Sequence, residues 1–279
     1  MHLAPSPPAT ISHEAIVYGD IDGYPLTLDL ILPSNGGDSP RPAIILLHGG
    51  GWVFGISGVQ DMRDAAAQFA KAGCVAATVE YRRTREPGHA WTWPDPFHDC
   101  QTAVRWLRTH ASHYAIDPDC IIAYGHSAGG HLAAMLAVRD NAPGEPGPSS
   151  RVNGSIALAG HMDLRIPYTD EFAISSLRDL LGGAPDAVPD RTLDASPITW
   201  VDGQSAPFLM LYGHADHQVA PTHHRTMAAA LQQAGTATTV VEVPDADHFT
   251  IADWRCAGPW ALAFVSATAT RTYQEHPPS

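Results

Sequence analysis

Two hydrophobic periodicities divide the chain. Residues 15–18 and 26–32 alternate apolar and polar in a period of two on either side of Asp22-Gly23, which predicts an antiparallel hairpin at a sheet edge. From residue 43 onward the strands read instead as short apolar, β-branched runs, at 43–47, 75–80, 120–124, 155–159, 208–212 and 238–243. Between and after them lie segments with helical spacing, at 61–71, 97–110, 130–138, 221–233 and 259–267. Strand and helix in alternation predict an α/β class, with helices packed on a mostly parallel sheet. No internal repeat is visible.

Two stretches break the rhythm. Residues 141–150 hold three prolines and two glycines, the composition of a surface loop. Residues 163–200 exceed what a simple crossover needs, and their one clear helical run is 171–181. An irregular segment of that length in a compact domain is usually a lid or binding loop, so it is read as an insertion on a single domain spanning 1–279.

Size and charge narrow the function. A chain of 279 residues buries most of the surface its unfolded form exposes, and no apolar run approaches the roughly 20 residues of a membrane helix. Residues 1–11 lack the basic head and apolar stretch of a secretory signal, which leads to an expected cytoplasmic location. A formal charge of -13 repels phosphate backbones and anionic headgroups, and no Lys/Arg cluster offsets it, so neither nucleic acid nor membrane is an expected partner. Cys74, Cys100, Cys120 and Cys256 lie far apart with no C-x-x-C pair. That spacing disfavours a zinc or redox motif and suits buried free thiols; neither metal nor cofactor is expected.

The strongest chemical signal is Gly125-His126-Ser127-Ala128-Gly129, placed after an apolar strand and before a helix. This G-x-S-x-G context suits a nucleophile elbow, a strained turn that needs small residues around the serine, and Gly125, Gly129 and Gly130 supply them. A second signal is His48-Gly49-Gly50-Gly51-Trp52, directly after the strand at 43–47. Consecutive glycines leave backbone N–H groups open to a developing oxyanion, and the N–H of Ala128 at the helix start would complete the hole. A phosphate loop is the rival, but G-x-x-x-x-G-K-[ST] is absent. His48 is expected to hold the glycine loop rather than to react.

Asp216 and His248 each follow a late strand, so the chain order is Ser, Asp, His. Parallel strands deliver their C-terminal ends to one edge, where distant loops meet. There neutral imidazole takes the serine proton while the carboxylate fixes its tautomer. His214, His217 and His161 are rivals for the base, but only His248 follows the last strand; Asp245 and Asp247 are alternatives to Asp216.

Taken in order, HGGGW, GHSAGGHLA, a Ser-Pro-Ile segment at Ser196, YGHADHQV and DADHF resemble the α/β-hydrolase superfamily over nearly the whole chain. Within it they are similar to the HGGG-bearing esterases related to hormone-sensitive lipase, kynurenine formamidase and feruloyl or acetyl esterases. The resemblance implies Ser127, Asp216 and His248 as the triad and Gly50, Gly51 and Ala128 as the oxyanion donors. One departure is His126, which stands where hormone-sensitive-lipase relatives usually carry Asp in GDSAGG. It moves the resemblance toward the formamidase and feruloyl-esterase-like branch.

Trp52, Phe54 and His161 are expected to contact substrate, with Trp91 and Trp93 as further wall candidates. The expected activity is a serine carboxylesterase acting on small, uncharged short-chain or aromatic esters. An arylformamidase using the same machinery is the rival enzyme, and a non-catalytic small-molecule receptor is the rival from another class. A homodimer is kept open.

Overall fold

The computed structural model describes residues 10–34, 39–142, 144 and 146–275, and gives no side-chain placement for residues 10, 11, 56–61, 273 and 275. The N-terminal reading of residues 1–9 and two positions of the 141–150 loop, 143 and 145, lie outside them.

The predicted hairpin is β1 (Thr10–Ile21) and β2 (Tyr24–Pro33), turning at Asp22 and Gly23, both at positive φ. It continues into one sheet with β3 (Arg41–Leu47), β4 (Val75–Val79), β5 (Ile116–His126), β6 (Gly154–Leu158), β7 (Phe208–Gly213) and β8 (Thr238–Val243). The order is β1-β2-β4-β3-β5-β6-β7-β8, with β2 antiparallel to its neighbours and β4 through β8 mutually parallel. β4 lies on one side of β3 and β5 on the other, so the strand order reverses at β3, the place where open α/β sheets hold ligands.

Apolar runs form the inner strands because both faces are covered. Ala43, Ile45 and Leu47 join a core with α2 (Asp95–Thr109), α3 (Ala128–Val138) and α6 (Thr222–Gln233). Ile44 and Leu46 face α1 (Ile56–Lys71) and α7 (Trp254–Glu275) on the other side. All eleven residues of α3 are buried, which places the helix after Ser127 at the centre of the molecule.

Segment 163–200 folds as α4 (Glu171–Leu181), the short α5 (Pro189–Asp194) and a 3-10 turn at Pro197–Trp200. Asp170 caps α4 by accepting from the Ala173 N–H, Gly182 ends it at φ 68°, and Leu177, Leu180 and Leu181 bury its inner face. The sequence reading misses α5 and starts the last helix at Pro259, five residues late. α7 begins at Trp254 and packs Ala257, Ala261, Val265 and Ala269 inward, a stripe that is mostly alanine and gives little hydrophobic contrast. No helix among the described residues is long and apolar enough to cross a membrane.

Candidate active site

Ser127 sits at the tip of β5 with φ 54° and ψ -117°, a conformation that costs a non-glycine residue about 1–3 kcal/mol and survives only where the surroundings enforce it. They do so by backbone contact. A Cβ on Gly129 would stand 1.9 Å from the Leu47 carbonyl oxygen, and one on Gly125 would stand 2.2 Å from that of Gly129. The Ser127 N–H donates to the Leu158 carbonyl at 2.8 Å, tying the elbow to β6.

β7 and β8 bring the partners. His248 Nε2 lies 3.0 Å from Ser127 Oγ, and His248 Nδ1 lies 2.9 Å from Asp216 Oδ2. All three side chains are buried. Asp216 Oδ1 accepts the N–H groups of Gln218 and Val219, each at 2.8 Å. Burial pushes its carboxyl up, but the hydrogen bond and charge of His248 with the two amides outweigh it and hold the group below its ordinary range. The carboxylate is therefore ionised at neutral pH, able to orient imidazole and to stabilise its protonated form.

The alternatives lie elsewhere. Asp245 and Asp247 are exposed, and Asp247 accepts from the N–H groups of Phe249 and Thr250 to close the turn after His248. His214 is exposed and paired with Glu242, and His217 is exposed.

Gly50 and Gly51 line the cleft beside Ser127. Gly50 has φ 98°, and its carbonyl accepts from Val53 and Phe54, both at 3.0 Å, so the loop closes on itself and turns its glycines toward the serine. Ala128 opens α3, where a first-turn N–H has no intrahelical acceptor. His48 holds the loop as expected: Nδ1 donates to the Gly49 carbonyl at 2.8 Å, and the ring stacks on Tyr81, whose hydroxyl donates to the His48 carbonyl.

The cleft encloses about 760 Å3, and Phe54, Phe172, Phe249, Trp254 and Met62 supply its apolar surface. Of the expected contact residues only Phe54 lines it. Trp52, at φ 61°, turns into the core, where its indole N–H donates to His131 Nδ1 at 3.2 Å. His161 is buried, with Nδ1 2.7 Å from the Tyr168 hydroxyl. Trp93 stacks on Phe97 and donates to Asp194, and Trp91 packs on Tyr24 and His89; neither borders the cleft. The wall residues missed in the sequence include Phe172, brought by α4, Met62 and Trp254, from α1 and α7, and Phe249, next to His248. Adjacency to His248 at the catalytic edge was the available signal for Phe249.

Beside His161, three buried histidines behind the site, His131, His223 and His224, carry no signal in the sequence. Burial first of all lowers His131 and His223 to about 4, His224 to about 3, and His161 well below its ordinary value. His131 is fixed as one tautomer, since Nε2 donates to the Ala195 carbonyl while Nδ1 accepts from Trp52. Among the described residues no group of three His, Cys, Asp or Glu is disposed to hold a metal ion.

Known proteins agree with this geometry. The BD-FAE family model matches residues 28–231. Esterase LipQ of Mycobacterium tuberculosis is 29% identical over 74% of this chain, and esterase LipC of the same organism 28% over 91%. The chain spans only 50% and 64% of those two relatives' lengths. Among solved structures, the thermophilic esterase Est2 of Thermogutta terrifontis is 29% identical with a TM-score of 0.74, covering 91% of this chain and 90% of its own. It is also known with propionate and with butyrate bound, and phosphonylated by sarin. A truncated carbohydrate esterase from gut microbiota shares the fold at a TM-score of 0.78 and 23% identity, covering 96% of this chain and 99% of its own. The sheet order, the elbow at its centre and a family match over most of the chain lead to one conclusion: this is an α/β-hydrolase fold, and the chain belongs to the BD-FAE family.

Proposed function

We propose that this protein is a serine-dependent carboxylic ester hydrolase acting on small, uncharged esters through an acyl-enzyme. The observation that carries the reading is the buried line Ser127 Oγ, His248 Nε2, His248 Nδ1, Asp216 Oδ2, with spacings of 3.0 and 2.9 Å, opening on a cleft.

In this mechanism Ser127 Oγ attacks the ester carbonyl as His248 Nε2 takes its proton. The carbonyl oxygen becomes an anion received by the N–H groups of Ala128, Gly50 and Gly51. Collapse breaks the bond to the alcohol oxygen, which leaves with the proton from His248. Water then attacks the acyl-Ser127 carbonyl, gives its proton to His248, and the acid departs as Ser127 recovers that proton. Asp216 stays ionised throughout and steadies the imidazolium twice in each turnover.

Two observations support the substrate range. Among the described residues the cleft's lining includes Asp64 and Asp253 but neither Lys nor Arg, an unfavourable field for anionic substrates. Est2, with a comparable fold, takes up propionate and butyrate. The insertion 163–200 acts in this reading as a binding wall, because α4 carries Phe172 into the cleft. Four unpaired cysteines, three of them buried, support a reducing and hence cytoplasmic compartment.

A series of p-nitrophenyl esters run beside N-formylkynurenine tests the proposal. The highest kcat/KM is expected at acyl chains of about two to four carbons, since each further methylene gains about 0.8 kcal/mol only where it finds apolar surface. A steady climb to roughly ten carbons would refute the small pocket. Faster turnover of the formamide than of every ester would transfer the activity to formamide hydrolysis.

A further inference from the structure

His126 fills the variable position of the elbow, between Gly125 and Ser127, and the mechanism above gives it no task. Its Nε2 lies 2.6 Å from the backbone carbonyl oxygen of His248, and the two imidazole rings are 4.9 Å apart at 47°. On its other side it meets the glycine loop: a Cβ on Gly49 would lie 3.1 Å from the His126 carbonyl oxygen and 3.2 Å from its Nδ1. The side chain is thus wedged between the loop that presents the oxyanion glycines and the loop that presents the base.

The chemistry of the contact fixes the protonation state. A carbonyl oxygen only accepts, so His126 Nε2 carries the hydrogen. Burial first, then the charge of His248, lower this ring to about 4, so near neutrality it holds one proton, and that proton is on Nε2. A single tautomer donates a single bond to the residue that serves as base.

Among the described residues, the other backbone anchors near His248 lie on its neighbours in the chain. One residue pair away, Ala215 N–H donates to the Ala246 carbonyl at 3.0 Å, and Asp247 ties only the turn that follows. Through His126, the strand that leads into Ser127 also holds the backbone of His248. Building on the esterase reading, we infer that His126 is a positioning residue: its Nε2–H clamps the His248 carbonyl to the nucleophile elbow and keeps base and nucleophile in register. It borders the cleft beside Ser127, but its role is exerted through the His248 backbone and not on the proton in flight. An aspartate here, as in GDSAGG, has no hydrogen to offer that carbonyl at neutral pH.

The test compares His126→Phe, which keeps a ring but loses the donor, with His126→Gln, whose amide nitrogen falls near the position of Nε2. Steady-state kinetics on p-nitrophenyl acetate and the rate of labelling by a fluorophosphonate are measured on the full chain, with melting temperature as the check on folding. For His126→Phe we expect kcat and labelling rate to fall together by about 10- to 100-fold, with KM within about twofold, as for a small misplacement of reacting groups. His126→Gln should recover most of that loss. Should His126→Phe fail to fold, His126→Asn replaces it, since its shorter amide reaches only the Nδ1 position; it should be slow where His126→Gln is fast. Full kcat in a donor-less variant, or equal slowness in His126→Gln and the donor-less variant with both folded, overturns the inference. Absence of both hydrolysis and labelling in the unaltered protein would instead defeat the esterase reading itself.

Discussion

The two walls of the cleft are made of different material. On one, Gly50 borders the cleft and Gly125 and Gly129 flank Ser127 behind it, and each brings backbone against backbone so closely that an added Cβ would lie within 2.4 Å of a carbonyl oxygen. On the other, Phe54, Phe172 and Phe249 stand 54%, 36% and 67% exposed, and the first two stack at 5.8 Å. Exposed aromatics clustered at a concave site are kept for contact with something else. In the proposed mechanism the first wall sets where charge develops and the second shapes what enters, with Phe172 packed over Gly51 and Phe249 edge-on to His248. Chemistry and selectivity are thereby separated in space.

The sharpest way to break the comparison is to put a methyl group into each kind of glycine site. Gly129→Ala drives Cβ into the Leu47 carbonyl and is expected to cost at least about 3 kcal/mol and the activity with it. Gly235→Ala, at φ 78° with nothing within 4 Å, should cost about 1–2 kcal/mol and leave kcat intact. Urea unfolding of both reads the difference; similar losses would show that crowding at the elbow is not what makes it rigid.

Acid should attack the first wall from behind. His126, His131 and His223 are held near 4 and His224 near 3 by burial, whereas unfolded histidine titrates at about 6.5. Between those values the unfolded chain binds protons the native one refuses, so this contribution is complete above pH 6.5 or so and is lost as pH falls toward 4. Melting temperature should drop steadily over that window. A flat profile from pH 7 to 4.5 would mean these rings take up protons without penalty.

The smallest expected effect is on the second wall. Phe249→Ala should leave unfolding free energy within about 0.5 kcal/mol of the parent and lower kcat/KM a few-fold, through KM. A loss of kcat by orders of magnitude would move Phe249 into the chemical wall.

The same division governs what could be read from the sequence. Glycines, the elbow serine, and the order of Asp216 and His248 carry their meaning in type and spacing, because strand ends of a parallel sheet converge by topology alone. The inner strands and α4 were legible for a similar reason, their periodicity being strong. Direction of side chains was not. Trp52 follows the glycine loop as directly as Phe54 does, yet a backbone turn at φ 61° sends it into the core. Phe172 depends on where α4 docks, a tertiary fact with no local signature. Short α5 and the alanine-lined start of α7 offered too little hydrophobic contrast to register.

The central claim is that Ser127 becomes a nucleophile through His248. It is tested most directly by reacting the folded protein with a fluorophosphonate and mapping the adduct by peptide mass spectrometry, beside Ser127→Ala and His248→Ala. The account predicts one adduct, on Ser127, absent from Ser127→Ala and formed far more slowly in His248→Ala. An adduct on another residue, or ester hydrolysis that persists in Ser127→Ala at within about tenfold of the parent rate, would contradict it.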